Sequence, residues 1–191
     1  YVLPHPHPRL RRESPPDSGG LFRCCSKPAA WVQQNRLAGT RPDKLERMDK
    51  RLKDRFGGID RLYGSGALER FAGCHVTVVG IGGVGSWAVE ALARSGIGKL
   101  TLIDADDLCV SNTNRQLPAL EGQYGRAKVE AMGERCRAIN PGIDLDLKPQ
   151  FLTPTNMGEL LEAPGDLVLD ACDSFRSKVE AIAYCRRRKQ P

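Results

Sequence analysis

The residues of this 191-residue chain whose types and spacing can do chemistry are few. They are three glycines at Gly80, Gly82 and Gly85, an aspartate 19 residues later at Asp104, the polar run Ser111-Asn112-Thr-Asn114-Arg115-Gln116, a lysine at Lys128, and the pair Asp170 and Asp173. The glycines have the G-x-G-x-x-G spacing of a phosphate-binding turn. The first permits a tight bend, the second a close approach of backbone to phosphate, and the third close packing of a helix on a strand. The competing reading of the spacing alone is a Gly-rich structural turn. Asp104 stands where dinucleotide-binding folds place an acid on ribose hydroxyls. Asp106 either assists it or is an ordinary exposed turn carboxylate. The run at 111–116 has no core periodicity, and phosphate coordination gives a loop so dense in Asn and Arg a purpose. Lys128 falls in the first turn of a helical pattern, where a cation opposes the helix dipole. That local cost favours a functional lysine over a solvated one. Asp173 follows an apolar run and is placed to ligate magnesium beside a triphosphate. Ahead of the glycines, Arg55 and Arg61 are spaced by further glycines; they either reach a nucleotide or lie on the surface.

A glycine turn followed by a ribose acid also describes a nicotinamide-dependent oxidoreductase. A dinucleotide pyrophosphate, however, is satisfied by the turn and the helix end alone. Arg115, Lys128 and Asp173 exceed that need. They suit ATP, with cations on the β- and γ-phosphates and Mg²⁺ to neutralise developing charge. No general base is evident, and a carboxylate substrate requires none: its oxygen is already nucleophilic and has only to be held in line with the α-phosphorus.

These groups need elements to hold them. Val76 to Val79 is a β-branched run that reads as a strand buried on both faces. The helix after Gly85 is expected to bury Trp87, Ala88, Ala91 and Leu92 and to close at Ser95-Gly96. A second strand is expected at Lys99–Asp104. A helix opened by Gly125 carries Val129, Met132, Cys136 and Ile139 at helical spacing and ends at Asn140-Pro141-Gly142. The alternation in 143–148 predicts a half-exposed third strand. Thr155 is expected to cap a short helix running to Leu161, and 166–170 a fourth strand before a helix from about Arg176 to Lys189. The fold class is therefore α/β, a Rossmann-like doubly wound, mainly parallel sheet. Ligands bind such sheets outside the carboxyl ends of the strands, so Gly80, Asp104 and Asp173 can converge on one crevice.

The formal charge of +6 invites a nucleic-acid reading, but 13 Lys and Arg against 6 Asp and Glu in residues 1–55 place the surplus there, and the remainder is close to neutral. Net charge is then poor support for RNA binding. The run Arg186-Arg187-Arg188-Lys189 is either a solvated helix end or a nucleic-acid contact. Seven cysteines without a C-x-x-C pair argue against a zinc site or a secreted disulfide framework and read as mostly small buried hydrophobes. No apolar stretch is long enough to span a membrane. The domain organisation expected is a disordered Pro- and Arg-rich segment at 1–42, either native or foreign to the protein, a helical lead-in at 43–72 with Arg55 and Arg61, and a nucleotide-binding domain at 73–191. A first residue of Tyr1 and an end at Pro191 suggest a fragment.

Taken together, Gly80-Ile-Gly-Gly-Val-Gly85, Asp104-Ala-Asp106, Ser111-Asn-Thr-Asn-Arg-Gln116, Gly125-x-x-Lys128 and Asp170-x-x-Asp173 resemble the adenylation domain of ubiquitin-activating enzymes and their bacterial relatives for molybdopterin and thiamine synthesis, over about 55–191. Within that group the wording of 55–64, 82–87 and 112–116 is most similar to the family that dehydrates threonylcarbamoyladenosine in tRNA. The resemblance implies ATP and Mg²⁺ as cofactors and adenylation of the substrate carboxylate, followed by intramolecular cyclisation and release of AMP. It implies Gly80, Gly82, Gly83 and Gly85 as the phosphate turn, Asp104 with Asp106 at the ribose, Asn112, Arg115 and Lys128 at the phosphates, Asp173 on the metal, and Arg61, less favourably Arg55, acting across a homodimer. It further implies a cytoplasmic enzyme, tRNA carrying threonylcarbamoyladenosine as partner, and a cysteine desulfurase as a sulfur-transfer partner. Ser174 departs from the Asn that the molybdopterin relatives carry, and the second half of the family fold lies beyond 191. Two other functions stay open: an adenylyltransferase activating the C-terminus of a ubiquitin-like sulfur carrier, and a non-catalytic nucleotide-binding or dimerisation module.

Overall fold

Stiff β-branched side chains fit a pleated surface, and Val76, Thr77, Val78 and Val79 form the body of β1 (His75–Val79), every residue of which is buried. The computed structural model describes residues 50–161 and 167–191; the reading of 1–42 falls outside them. β1 pairs in parallel with β2 (Lys99–Ile103) on one side and β4 (Leu167–Asp170) on the other, and β2 pairs in parallel with β3 (Asp144–Lys148), giving the order β3-β2-β1-β4. The pairings Val79 to Ile103, Val79 to Asp170 and Ile103 to Lys148 bring all four carboxyl ends to one level. The chain moves from β1 outward to β3 and then returns to the far side of β1. The order therefore reverses beside β1, and ligand crevices open at such a reversal.

Each face of the sheet has its own core. On one, Val76, Val78, Leu100 and Leu102 meet Val89 and Ala93 of α3 (Gly85–Arg94) and Val129, Met132 and Cys136 of α4 (Lys128–Ile139). On the other, Val79 and Ile103 meet Leu152, then Met157 and Leu160 of α5 (Met157–Leu160) and Ala181 of α6 (Phe175–Arg188). Helices on both faces of a parallel sheet are the doubly wound arrangement expected. The described part of the lead-in, residues 50–72, is part of this body. A helical stretch at 50–56 is followed by α1 (Gly58–Tyr63) and α2 (Ala67–Ala72). Phe56 and Leu68 lie against Gly96, and Gly98 N donates to Phe71 O, at the edge where the strands begin.

Three local expectations need correction. The buried side of α3 is Gly85, Ser86, Val89, Glu90 and Ala93, whereas Trp87 and Ala91 are exposed. Gly85 sets this phase: its Cα lies so close to Gly80 that it must face the sheet, and steps of four residues then carry Val89 and Ala93 inward. Asn156, not Thr155, is the residue preceding α5, and its Oδ1 accepts from Thr153 N. Among the described cysteines, Cys74 is buried and Cys136 is a buried thiol whose burial pushes it up to about 12, but Cys109 is exposed and Cys172 and Cys185 are only half-buried.

Candidate functional site

The glycine turn sits at the carboxyl end of β1 with its amide at Gly80 donating to Ile103 O. Two of its glycines are obligatory by geometry. Gly80 has φ 87°, and a Cβ there would meet Ala171 O and Cys172 N at 2.9 Å; a Cβ on Gly85 would lie 1.8 Å from Gly80 O. A Cβ on Gly83 would meet a side chain instead, 3.3 Å from Arg115 Cγ, while one on Gly82 would have room, the nearest atom being Gln116 Nε2 at 3.9 Å. The turn thus lies between the end of β4 and the 111–116 loop, with the N-terminus of α3 opening from it, an arrangement suited to an anion.

Asp104, just past β2, reaches into this turn. Its Oδ2 accepts from Ile81 N at 2.6 Å and its Oδ1 from Asp106 N at 2.8 Å, which fixes the carboxylate beside the glycines. Asp106 has a more specific part than either sequence reading: its Oδ2 holds Lys128 Nζ at 2.7 Å, and its carbonyl accepts from Lys128 N. Lys128 is the first residue of α4 and is only 5% exposed, so it is not the solvated lysine of the competing reading. A buried cation at a helix N-terminus is tolerated when a carboxylate accompanies it, and Asp106, itself mostly exposed, supplies that carboxylate at the crevice side of β2.

The 111–116 loop is structured by its own polar groups. Asn112, 8% exposed, accepts from Cys109 N through Oδ1, so its carboxamide braces the single helical turn Val110–Asn112. Arg115 is exposed, its Nη1 resting on Ser111 O at 3.1 Å and Asn114 Oδ1 at 3.0 Å. Residues that sequence reasoning passed over fasten this loop. Ser86 Oγ accepts from Leu117 N, and Trp87 Nε1 donates to Arg115 O at 3.1 Å. Gln116 is buried, with Oε1 lacking a partner among the described residues. A polar Ser86 at a helix position that must face the sheet was the available signal.

At the end of β4 the two aspartates divide. Burial pushes the Asp170 carboxyl up, but hydrogen bonds from Cys172 and Lys178 outweigh this and hold it below the usual carboxylate range; Lys178 Nζ lies 2.6 Å from Oδ2. Asp170 is thereby committed to the fold. Asp173 is exposed and hydrogen-bonded to no described residue. Ser174 then caps α6, its Oγ accepting from Ser177 N. Among the described residues no group of three or more His, Cys, Asp or Glu could hold a metal. A protein-built cage is therefore excluded for them, but Mg²⁺ on a nucleotide takes one or two carboxylates and fills its shell with phosphate and water, which the uncommitted Asp173 fits. Arg55 and Arg61 do not join this site within the chain. Arg55 Nη1 donates to Ile139 O at the far end of α4, and Arg61 is exposed on α1, which with α2 leads to the opposite edge of the sheet.

The ThiF family model matches residues 58–191. The chain is 55% identical over 139 residues to the tRNA threonylcarbamoyladenosine dehydratase of Escherichia coli, covering 73% of this chain and 52% of that protein. It is 53% identical over 137 residues to the enzyme of the same name from Haemophilus influenzae, covering 72% and 52%. The chain thus spans about half the length of the curated relatives it matches. The crystal structure of the E. coli dehydratase in complex with ATP superposes with a TM-score of 0.72, covering 73% of this chain and 57% of that one. No described helix is long and apolar enough to cross a membrane.

Proposed function

The chain belongs to the ThiF family, and from that premise we propose that the protein it represents uses ATP to adenylate the carboxylate of threonylcarbamoyladenosine in tRNA, leading to loss of water and a cyclised nucleoside. The observation that carries the reading is the meeting of the glycine turn, Asp104, Arg115 and the Lys128–Asp106 pair at one end of the sheet, with an uncommitted Asp173 across the turn. The substrate class follows the two bacterial relatives.

In this reading the backbone of Gly80–Gly85 and the start of α3 cradle phosphate. Asp104, already fixed by Ile81 N, receives ribose hydroxyls on its remaining lone pairs. Arg115 leaves Ser111 O and Asn114 to reach phosphate oxygens, and Lys128 presents a cation whose position Asp106 sets. Asn112 holds the loop in shape and reaches phosphate only through its NH₂ group. Asp173 would hold Mg²⁺, which when bound neutralises charge on the phosphates. The substrate carboxylate needs only to be oriented toward the α-phosphorus, so positioning and charge supply the catalysis. The chain's 73–191 region is the adenylation domain, with 50–72 packed onto it. The protein works in the cytoplasm as a homodimer, with Arg61 entering the partner's site and a cysteine desulfurase as associated protein.

The direct measurement is mass spectrometry of tRNA nucleosides after incubation of the full-length protein with ATP. Threonylcarbamoyladenosine should lose one water, and Arg115→Ala or Lys128→Ala should lower AMP formation by about 10²-fold or more. An unchanged nucleoside pool would favour activation of a ubiquitin-like sulfur carrier instead, and nucleotide binding without pyrophosphate release would indicate a non-catalytic module. Asp173→Asn should shift the Mg²⁺ concentration for half-maximal turnover upward by roughly ten-fold; an unaltered titration removes it from the metal.

A further inference from the structure

Trp87 occupies a position that burial does not explain. It lies on the outward side of α3 and is 57% exposed, in a helix whose core residues are Val89 and Ala93. A tryptophan left in solvent gains little of the stabilisation its large ring supplies in a core. Its defined interaction is the indole N–H, which donates to the main-chain carbonyl of Arg115 at 3.1 Å, 28 residues away in sequence. Its neighbours act on the same segment. Ser86, fully buried, accepts from Leu117 N at 3.3 Å, and the aliphatic stem of Arg115 lies across Gly83. Residues 83, 86 and 87 therefore hold the stem, the carbonyl and the downstream flank of Arg115, tying its loop to the phosphate turn.

We propose that Trp87 is a positioning residue for Arg115, keeping the backbone that carries this arginine in register with the glycine turn. The guanidinium itself is retained by Ser111 O and Asn114 Oδ1, contacts that must be exchanged when it turns to phosphate. The Trp87 bond acts on the main chain and persists through that exchange, so the side chain swings from a fixed pivot. A hydrogen bond that restrains the pivot of a charge-stabilising group affects the reaction more than nucleotide affinity, because the charge the group meets develops in the transition state. The inference rests on the reading that Arg115 serves the phosphates.

Two substitutions in the full-length protein separate ring from donor. Trp87→Phe keeps an aromatic ring and removes the N–H; Trp87→His places a ring N–H at about the same reach from the backbone. Trp87→Phe should lower kcat about ten-fold with KM for ATP changed less than about three-fold. Trp87→His should recover most of that loss, and both should unfold at the wild-type temperature, since the site contributes little core. Added to Arg115→Ala, Trp87→Phe should cause no further loss, as expected when one residue acts through the other. An unchanged kcat in Trp87→Phe, failure of histidine to rescue, or an effect that adds fully to that of Arg115→Ala overturns the proposal while leaving Arg115 in place. Full turnover in Arg115→Ala overturns the assignment of Arg115 itself, and the role of Trp87 with it.

Discussion

The glycines at 80, 83 and 85 look interchangeable in sequence and differ in what surrounds them. A methyl group on Gly85 would collide with the Gly80 carbonyl at 1.8 Å, backbone against backbone, whereas one on Gly83 meets only the flexible stem of Arg115 at 3.3 Å. Gly85→Ala should therefore cost roughly 2–4 kcal/mol of stability and abolish nucleotide binding. Gly83→Ala should unfold within about 1 kcal/mol of wild type and lower turnover by displacing Arg115. Denaturant titration paired with ATP-binding calorimetry checks both, and equal destabilisation by the two would contradict the geometry. At this scale residue types were legible in sequence and residue roles were less so. Asp104 and Asp173 stand where spacing put them. That Asp106 partners Lys128 and that Asp170 is spent on Lys178 depend on contacts between segments that spacing does not describe, whereas Asn112 braces its own loop through Cys109, three residues back.

At the scale of elements, α3 shows both how far periodicity reaches and where it misleads. Counting apolar residues selects Trp87, Ala88, Ala91 and Leu92, yet the buried side contains Ser86 and Glu90. The polar residues are affordable there because each has partners. Glu90 accepts from Arg135 at 2.6 Å and Arg94 at 2.7 Å, linking α3 to α4. The bond from Arg135, with that from Arg94, holds the Glu90 carboxyl below its ordinary 4.5 despite burial that pushes it up. Since the folded pKa lies below the unfolded one, Glu90 contributes stability above pH 4.5, and this is lost as pH falls through the folded value. Glu90→Gln should destabilise by about 1–2 kcal/mol at neutral pH, discounted for the exposure of both arginines. The gap from wild type should narrow as pH drops below the ordinary glutamate range. Chemical denaturation as a function of pH measures it, and a gap independent of pH would mean that the ion pairs contribute nothing. The phase of α3 was recoverable from sequence by a different route, because the third glycine of the turn has to face the strand and Val89 and Ala93 follow it by steps of four.

For the whole molecule, the four parallel strands end at one level and gather the candidate groups there, while Arg61 lies on α1, at the lead-in to the strands' opposite edge. If Arg61 acts in the partner's site, mixing inactive Arg61→Ala and Lys128→Ala proteins should restore roughly a quarter of wild-type activity after subunit exchange, since half the dimers are mixed and each has one complete site. No recovery at any mixing ratio would place Arg61 outside catalysis. The amino-acid order alone determined the fold class, the turn and the identities of the chemical groups, because glycine spacing, β-branched runs and strand-to-helix alternation are local properties of the chain. Only the tertiary structure decided which of those groups are free to act. Lys128 is buried against Asp106 and Trp87 reaches Arg115, because partners 22 and 28 residues apart in sequence are chosen by how strands and helices stack, and local spacing contains no record of that choice.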